Sequence, residues 1–132
     1  MLDDLAHARG WFRKAESDLT AARRVLEGDG PYDTACFHAQ QAAERFLKGF
    51  LAFKARPVPR VHNIEDLQHL CCEADPGLNF ALLAGTQLTP YAVELRYEFD
   101  FWPERETAAE AIVTAEALRA VVLERVAPEA RP

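Results

Sequence analysis

A polar stripe in the segment 32–54 has residue types that could bind a ligand or a partner. The members of the stripe are His38, Gln41, Glu44, Arg45 and Lys48. Glu44 and Lys48 are four residues apart, the spacing at which a helix brings opposite charges together. A solvated helix face is the simpler interpretation of the stripe. Phe37, an aromatic residue within it, favours a partner surface instead.

A second group consists of His62, Asp66 and His69, whose spacing would suit a divalent cation if one helix carried all three. However, His62 directly follows the proline-rich stretch 56–60, which cannot continue a helix. We therefore expect His62 at or before the helix start, where it would hold this connector against the bundle. The sequence predicts no metal site.

A third group is aromatic and lies late in the chain. It contains Tyr91, Arg96 and Tyr97, followed by Phe99, Asp100, Phe101 and Trp102. Aromatic rings beside an arginine can stack a nucleobase and hold a phosphate. The alternative is a hydrophobic lid that closes one end of a bundle. Arg119 falls on the apolar side of the last helix, where it either reaches outward to solvent or belongs to a subunit interface.

The elements that position these groups are all helical. Apolar residues three and four apart predict long helices over 4–27, 32–54 and 108–126 and a short helix over 64–74. They also predict a helix over 78–88 that restarts at Pro90 and runs on through about Tyr97. Asn63 is a candidate N-cap, and Thr107 with Glu110 matches a capping box. No strand pattern is present. The prediction is an all-α, up-and-down helical bundle of four long helices plus a short fifth, forming one domain over 1–132.

Composition excludes several classes of protein. The chain has 132 residues, 49% hydrophobic, and no apolar run of the roughly 18 residues that a membrane span needs. No signal peptide is visible, so we expect a cytoplasmic protein with no membrane partner. Fifteen basic residues against 21 acidic ones argue against a DNA partner. Cys36, Cys71 and Cys72 form no disulfide framework and are expected as reduced, mostly buried thiols.

The chain resembles the HEPN domains (higher eukaryotes and prokaryotes nucleotide-binding) at four landmarks in the right order. These are residues 11–19 in the first helix, 35–48 in the second, 61–67 around the start of the third, and 91–97 with its arginine–tyrosine pair. The resemblance covers almost the whole chain. It implies a helical bundle that commonly dimerises, and a compact prokaryotic type often encoded beside a minimal nucleotidyltransferase in a toxin–antitoxin-like pair.

Catalytically active HEPN proteins are metal-independent ribonucleases with an Arg-x(4–6)-His motif, built across the dimer. This sequence departs from that pattern, because Phe101, Trp102 and Pro103 stand where the histidine should follow Arg96. Arg56 and His62 have the spacing but lie in the connector, so we interpret them as a chance match. The departure favours a module without catalytic residues, since cleavage needs a general acid or base at the 2′-hydroxyl.

The leading interpretation is a non-catalytic HEPN-type module without a cofactor. It binds a nucleotide or serves a minimal nucleotidyltransferase, and it forms a homo-oligomer. The candidate ligand contacts are Lys48 and Arg96 for phosphate, Tyr97 for the base, and His62 and Gln41 for polar groups. The candidate interface residues are Phe37, Phe99, Phe101, Trp102 and Arg119. A metal-independent ribonuclease toxin and a purely structural oligomerisation domain are the alternatives.

Overall fold

The computed structural model describes residues 2–80 and 100–132, and this part of the chain is helical without strands. Its helices are α1 (Leu2–Glu27), α2 (Tyr32–Phe53), α3 (Ile64–Ala74), α4 (Arg105–Glu124) and a short 3₁₀ helix, Pro128–Ala130. The predicted all-α bundle is confirmed. None of these helices combines the length and the apolarity that crossing a bilayer requires.

Helix α2 is the centre of the bundle. It packs most extensively on α1, and also on α4 and α3. Its core side combines small residues with large rings, and Ala39, Ala43, Phe46 and Phe50 are all fully buried. The alanines let neighbouring helices approach, and the phenylalanines fill the space between them. A central position of this kind leaves α2 little surface for solvent.

Gly49 lies where α1 and α2 approach each other closely. A Cβ atom at this position would lie 2.6 Å from Cε1 of Phe12 and 3.0 Å from Cβ of Trp11. Any larger residue would therefore push α1 away. Through this contact Gly49 fixes how deeply Trp11 lies against α2.

Helix α3 begins where the sequence predicts. Asn63 is the N-cap, and its side chain accepts a hydrogen bond of 3.0 Å from the backbone N–H of Asp66. The helix then runs over Ile64–Ala74, as predicted. His62 consequently lies outside the helix, in the connector that leaves α2.

Two predicted helix starts are wrong. Helix α4 begins at Arg105 with Glu104 as a cap that makes no side-chain bond, so the capping box proposed at Thr107 is absent. A proline restricts the backbone only of itself and of the residue before it. Residues that favour helix follow Pro103 directly, so the helix begins earlier than predicted. Residues 78–80 are not helical, and the backbone N–H of Leu78 donates a hydrogen bond of 3.1 Å to the carbonyl oxygen of Asp75, which closes the turn after α3. The remainder of the predicted helix 78–88 and the predicted helix 90–97 lie outside the described residues.

A buried carboxylate ties the end of α3 to the end of α4. Asp75 accepts hydrogen bonds of 2.9 Å from Nε and Nη2 of Arg125 and from the backbone N–H of Gly77. Lys54 lies 4.0 Å away. The hydrogen bond from Arg125 is the main reason that the pKa of Asp75 is held below its ordinary value.

All three cysteines are free thiols, as the sequence predicted. Cys36 and Cys71 are buried, and Cys72 is half-buried. Burial raises the pKa of Cys71 to about 12. Because the thiolate is the reactive form, Cys71 is a packing residue at neutral pH and not a nucleophile.

Candidate functional site

A buried carboxylate on α2 holds the connector against the bundle. Glu44 is 4% exposed, and its Oε1 lies 2.7 Å from Nδ1 of His62. Its Oε2 lies 3.7 Å from Nζ of Lys48, one turn further along α2. His62 therefore holds the connector to the bundle, as the sequence predicted. We name Glu44, Lys48 and His62 the Glu44 cluster.

The polar stripe of α2 is not a solvated face at this point. Lys48 is only 6% exposed, and its ammonium lies 5.8 Å from the centre of the Trp11 ring. Gln40, which the sequence does not single out, is 1% exposed, and its Nε2 has no hydrogen-bond partner within residues 2–80 and 100–132. The solvated-face interpretation fails because α2 is covered by neighbours on more than one side.

An open pocket of about 640 Å³ lies beside the Glu44 cluster. Its lining residues are His7 and Trp11 of α1, Lys48 of α2, and Arg56, Pro57, Val58, Pro59, Arg60 and His62 of the connector. Arg56 and Arg60 are exposed, and neither guanidinium has an acidic partner among the residues that the structure describes. We name this the connector pocket.

One wall of the connector pocket is a fixed indole ring. Trp11 is half-buried, and its Nε1 donates a hydrogen bond of 3.1 Å to Nε2 of His7. Lys48 packs against the ring, and Gly49 holds the backbone of α2 close beneath it. The indole is therefore positioned before any ligand arrives, which lowers the ordering cost of binding.

The opposite wall is stiff for a different reason. Pro57 and Pro59 each fix one backbone dihedral angle between Arg56 and Arg60. His62 then attaches the end of this stretch to Glu44. Two arginines are thus presented on a restricted segment, facing the side of an aromatic ring. Guanidinium groups match phosphate geometry and aromatic faces stack bases, so the pocket suits an anionic ligand that carries a ring.

A second cluster on α2 resembles the first in its residue types. Asp18 of α1, 8% exposed, lies 3.0 Å from Nδ1 of His38 and 2.6 Å from Nη1 of Arg45. Phe37 packs its ring near that of His38, with centres 5.7 Å apart. We name Asp18, His38 and Arg45 the Asp18 cluster. It joins α1 to α2.

The residues predicted to bind a ligand are only partly brought together. Lys48 and His62 meet through Glu44. Gln41 is half-buried on α2, two turns before Lys48. Arg96 and Tyr97 lie outside the described residues.

The predicted interface residues have different environments. Phe99 lies outside the described residues, Phe101 packs against the core, and Trp102 is 72% exposed. Arg119 forms an ion pair with Glu16 across α1 and α4. His69 pairs with Glu73 at 3.0 Å and not with His62. Within the described ranges, no three His, Cys, Asp or Glu side chains are placed to hold a metal ion.

Sequence reasoning missed Trp11 and the two connector arginines as pocket residues. The available signal was the repetition of arginines around two prolines, with a histidine directly after them. Trp11 gives no such signal, since a tryptophan on a helix is usually a core residue. Only its placement opposite the connector makes it part of a site.

The described residues form a helical bundle with a pocket that cationic and aromatic side chains line. The family model of the HEPN domain matches residues 8–126, and the chain belongs to the HEPN family. It is also similar to TT1696 from Thermus thermophilus, whose crystal structure superposes with a TM-score of 0.75. The two sequences are 32% identical over 91% of this chain and 98% of that one. No curated protein matches the chain.

Proposed function

We propose that this HEPN domain binds a nucleotide in the connector pocket. The observation that carries the proposal is the pair of exposed guanidinium groups, Arg56 and Arg60, beside the fixed indole of Trp11. In this arrangement the arginines contact the phosphates and Trp11 stacks the base. His62, which is 54% exposed, is available for a polar contact.

Lys48 contributes less charge to this pocket than its residue type suggests. Its ammonium is paired with Glu44 and nearly removed from solvent. Its role is to hold the Trp11 ring, while the connector arginines supply the attraction for phosphate. This division explains how a chain of net charge −6 offers a local site for an anion.

Isothermal titration calorimetry with three probes tests the assignment: ATP, adenosine and inorganic tripolyphosphate. We expect ATP to bind best, and the variant R56A/R60A to lose at least about tenfold in ATP affinity. Trp11→Ala should weaken ATP binding but leave tripolyphosphate unchanged. R13A/R24A removes the same charge from exposed arginines of α1 outside the pocket and is the matched control. Equal ATP affinity in wild type and R56A/R60A would overturn the proposal.

A ribonuclease is the second candidate function, because the structure brings Arg56 and His62 into one pocket. A carboxylate only accepts hydrogen bonds, so neutral His62 must donate from Nδ1 to Glu44. Its Nε2 then carries the lone pair that a general base needs. The base would take the proton of a 2′-hydroxyl, and Arg56 would stabilise the phosphate.

RNA cleavage in the presence of EDTA separates the two candidates. The ribonuclease predicts cleavage that His62→Ala and Arg56→Ala both abolish, whereas His38→Ala, a histidine outside the pocket, retains it. If the protein binds ATP but cleaves no RNA, nucleotide binding is the candidate function that remains. Cleavage that persists in His62→Ala would show that this pocket does not carry out the reaction.

We further propose a minimal nucleotidyltransferase as a partner, in a two-component, toxin–antitoxin-like system, and a homo-oligomeric state. Membership of the HEPN family is what supports these partners. An affinity pull-down of the tagged chain from its native lysate tests them. Recovery of a small nucleotidyltransferase at matching stoichiometry is expected. Recovery of this chain alone would remove the two-component proposal.

A further inference from the structure

The connector pocket continues onto the outer surface of α1. His7 and Trp11, which line the connector pocket, also line an open groove of about 420 Å³ with Ala6, Gly10 and Lys14. A further open groove, of about 410 Å³, is lined by Ala6, Gly10, Leu5, Arg9, Arg13 and Glu129. Because neighbouring hollows share lining residues, they form one path that leads from the connector across α1. We name the two grooves on α1 together the α1 groove.

Gly10 keeps the α1 groove open at its middle. Apart from the helix's own nearby backbone and chain neighbours, no atom lies within 4 Å of the place that a Cβ on Gly10 would occupy. Ala6, about one turn earlier on the same side of α1, adds only a methyl group. A ligand in the connector pocket can therefore extend across α1 without meeting a large side chain at either position.

Two cations line the α1 groove without a counter-charge. Lys14 and Arg13 are exposed, and neither has an acidic partner among the residues that the structure describes. The carboxylates that follow them on α1 face other partners, since Glu16 pairs with Arg119 and Asp18 belongs to the Asp18 cluster. Lys14 and Arg13 are therefore available to attract an anion from solvent.

Trp11 borders both the connector pocket and the α1 groove, so cationic side chains lie on both sides of its ring. Arg56 and Arg60 line the pocket, whereas Lys14 and Arg13 line the groove. A nucleoside whose base stacks on the ring has oxygens at its 5′ and 3′ positions, and these leave the sugar in different directions. Phosphate groups on both oxygens are then placed to reach both sets of cations.

We infer that the α1 groove is a second phosphate subsite, and that the ligand is a nucleotide with phosphate groups at both its 5′ and 3′ positions. Arg56 and Arg60 bind the 5′-phosphate, and Lys14 with Arg13 binds the 3′-phosphate. The inference rests on the nucleotide site proposed for the connector pocket and names the class of nucleotide. An acidic peptide fits less well, because the surface between the two sets of cations is an indole ring that suits a base.

The far end of the α1 groove limits the length of the ligand. Glu129 lines it beside Arg9, and its carboxylate repels a phosphate group that extends beyond Arg13. The same doubly phosphorylated unit also occurs inside a single strand of nucleic acid. The acidic end of the groove favours a free nucleotide over a long strand.

Isothermal titration calorimetry with adenosine 3′,5′-bisphosphate and AMP tests the inference, since these probes differ only in the 3′-phosphate. We expect the wild type to bind the bisphosphate at least about tenfold more tightly, because the 3′-phosphate forms charge-assisted hydrogen bonds. R13A/K14A should abolish this preference and leave AMP affinity unchanged. R24A/R105A removes the same charge from exposed residues that line neither the pocket nor the groove and is the matched control. Circular dichroism confirms that each variant is folded.

Two results would overturn the inference: equal affinities of the wild type for both probes, or a preference that R13A/K14A retains. If ATP or AMP still binds in either case, the connector pocket stands as a nucleotide site and only the second subsite is lost. If ATP, AMP and the bisphosphate all fail to bind, the nucleotide site itself is removed, and the subsite with it.

Pentaadenylate distinguishes the free nucleotide from a strand. We expect it to bind no more tightly than the bisphosphate, because the α1 groove ends at Glu129. Tighter binding of pentaadenylate that R13A/K14A weakens would assign the same subsite to a nucleotide within a strand.

Discussion

The Asp18 cluster and the Glu44 cluster contain the same kinds of side chain but have different roles in the structure. Each has a buried carboxylate that faces Nδ1 of a histidine and one cationic side chain. In the Asp18 cluster both partners, His38 and Arg45, come from α2, and the distances are 3.0 and 2.6 Å. The result is a closed link between two helices.

The Glu44 cluster is built across two elements, α2 and the connector. Its lysine comes from α2 at 3.7 Å, and its histidine comes from the connector at 2.7 Å. Beyond the cluster lies a pocket with an indole wall contributed by α1 and two arginines without acidic partners in the described chain. Residue types alone therefore do not decide whether a polar cluster only links two elements or also forms part of a site. What decides it is the element that supplies each partner, which is α2 for His38 and the connector for His62.

The largest effect on stability is expected from Glu44→Gln. Lys48 is 6% exposed and would lose its counter-charge, whereas the side chains of His38 and Arg45 are each 31% exposed. Removing one partner of a buried pair costs about 3 kcal/mol or more. We expect Asp18→Asn to cost less, about 1 to 2 kcal/mol, because water can reach its former partners. Urea unfolding of both variants measures the difference.

The double variant E44Q/K48M controls for lost packing. Replacing a buried ion pair with groups of similar volume is often close to neutral, so most of the stability should return. If E44Q/K48M is as unstable as Glu44→Gln, the unpaired charge of Lys48 is not the cause, and the proposed contrast between the two clusters fails.

Gly49→Ala should have the next largest effect, and it should affect the connector pocket more than the Asp18 cluster. The added Cβ would meet the ring of Phe12 at 2.6 Å and displace Trp11. Overpacking of this kind costs about 1 to 3 kcal/mol. We expect lower stability together with weaker ATP binding, measured by thermal unfolding and calorimetry.

Gly10→Ala is the matched control for this glycine. It places the same methyl group on α1, where no atom other than those of the helix's own nearby backbone and chain neighbours lies within 4 Å. Helix propensity then predicts a gain of up to about 1 kcal/mol. Normal ATP affinity in Gly49→Ala would show that the position of Trp11 does not govern the pocket.

The same substitution at His62 and at His38 compares the two clusters directly. His62→Asn should reduce ATP affinity by roughly three- to tenfold while changing stability by about 1 kcal/mol or less, because it loosens only the connector. His38→Asn should leave ATP affinity unchanged and cost a similar amount of stability. Calorimetry and unfolding of both variants measure this. Equal ATP affinities in the two variants would show that the Glu44 cluster is no more important for ATP binding than the Asp18 cluster.

The helical architecture could be predicted from the sequence because it depends on local patterns. The 3.6-residue periodicity of α1 and α2 and the Asn63 cap are each contained within a few turns of chain. The false start at Thr107 shows the limit of such local rules. A four-residue capping motif cannot indicate that the chain becomes helical directly after Pro103.

The pocket could be predicted only in part. The sequence predicts Lys48 and His62 at one site, but it indicates Glu44, which joins them, only as a member of the polar stripe and a neighbour of Lys48. Trp11 lies 45 positions before Arg56 in the chain, and nothing in either segment indicates the other. Their proximity arises from the close packing at Gly49, a tertiary contact that no local periodicity encodes.

The smallest effect is expected at Asp75, a third carboxylate, which serves as a reference because it joins the ends of two helices, α3 and α4. Hydrogen bonds from Arg125 lower its folded-state pKa from the ordinary 3.8, so the unfolded chain binds the proton more readily. Asp75 therefore stabilises the fold above pH 4 or so, and this contribution is lost as pH falls through the lowered pKa. Asp75→Asn should lower the melting temperature by a few degrees at pH 7 and by less at pH 3. A loss of the same size at both pH values would mean that its hydrogen bonds, and not its charge, hold α3 to α4.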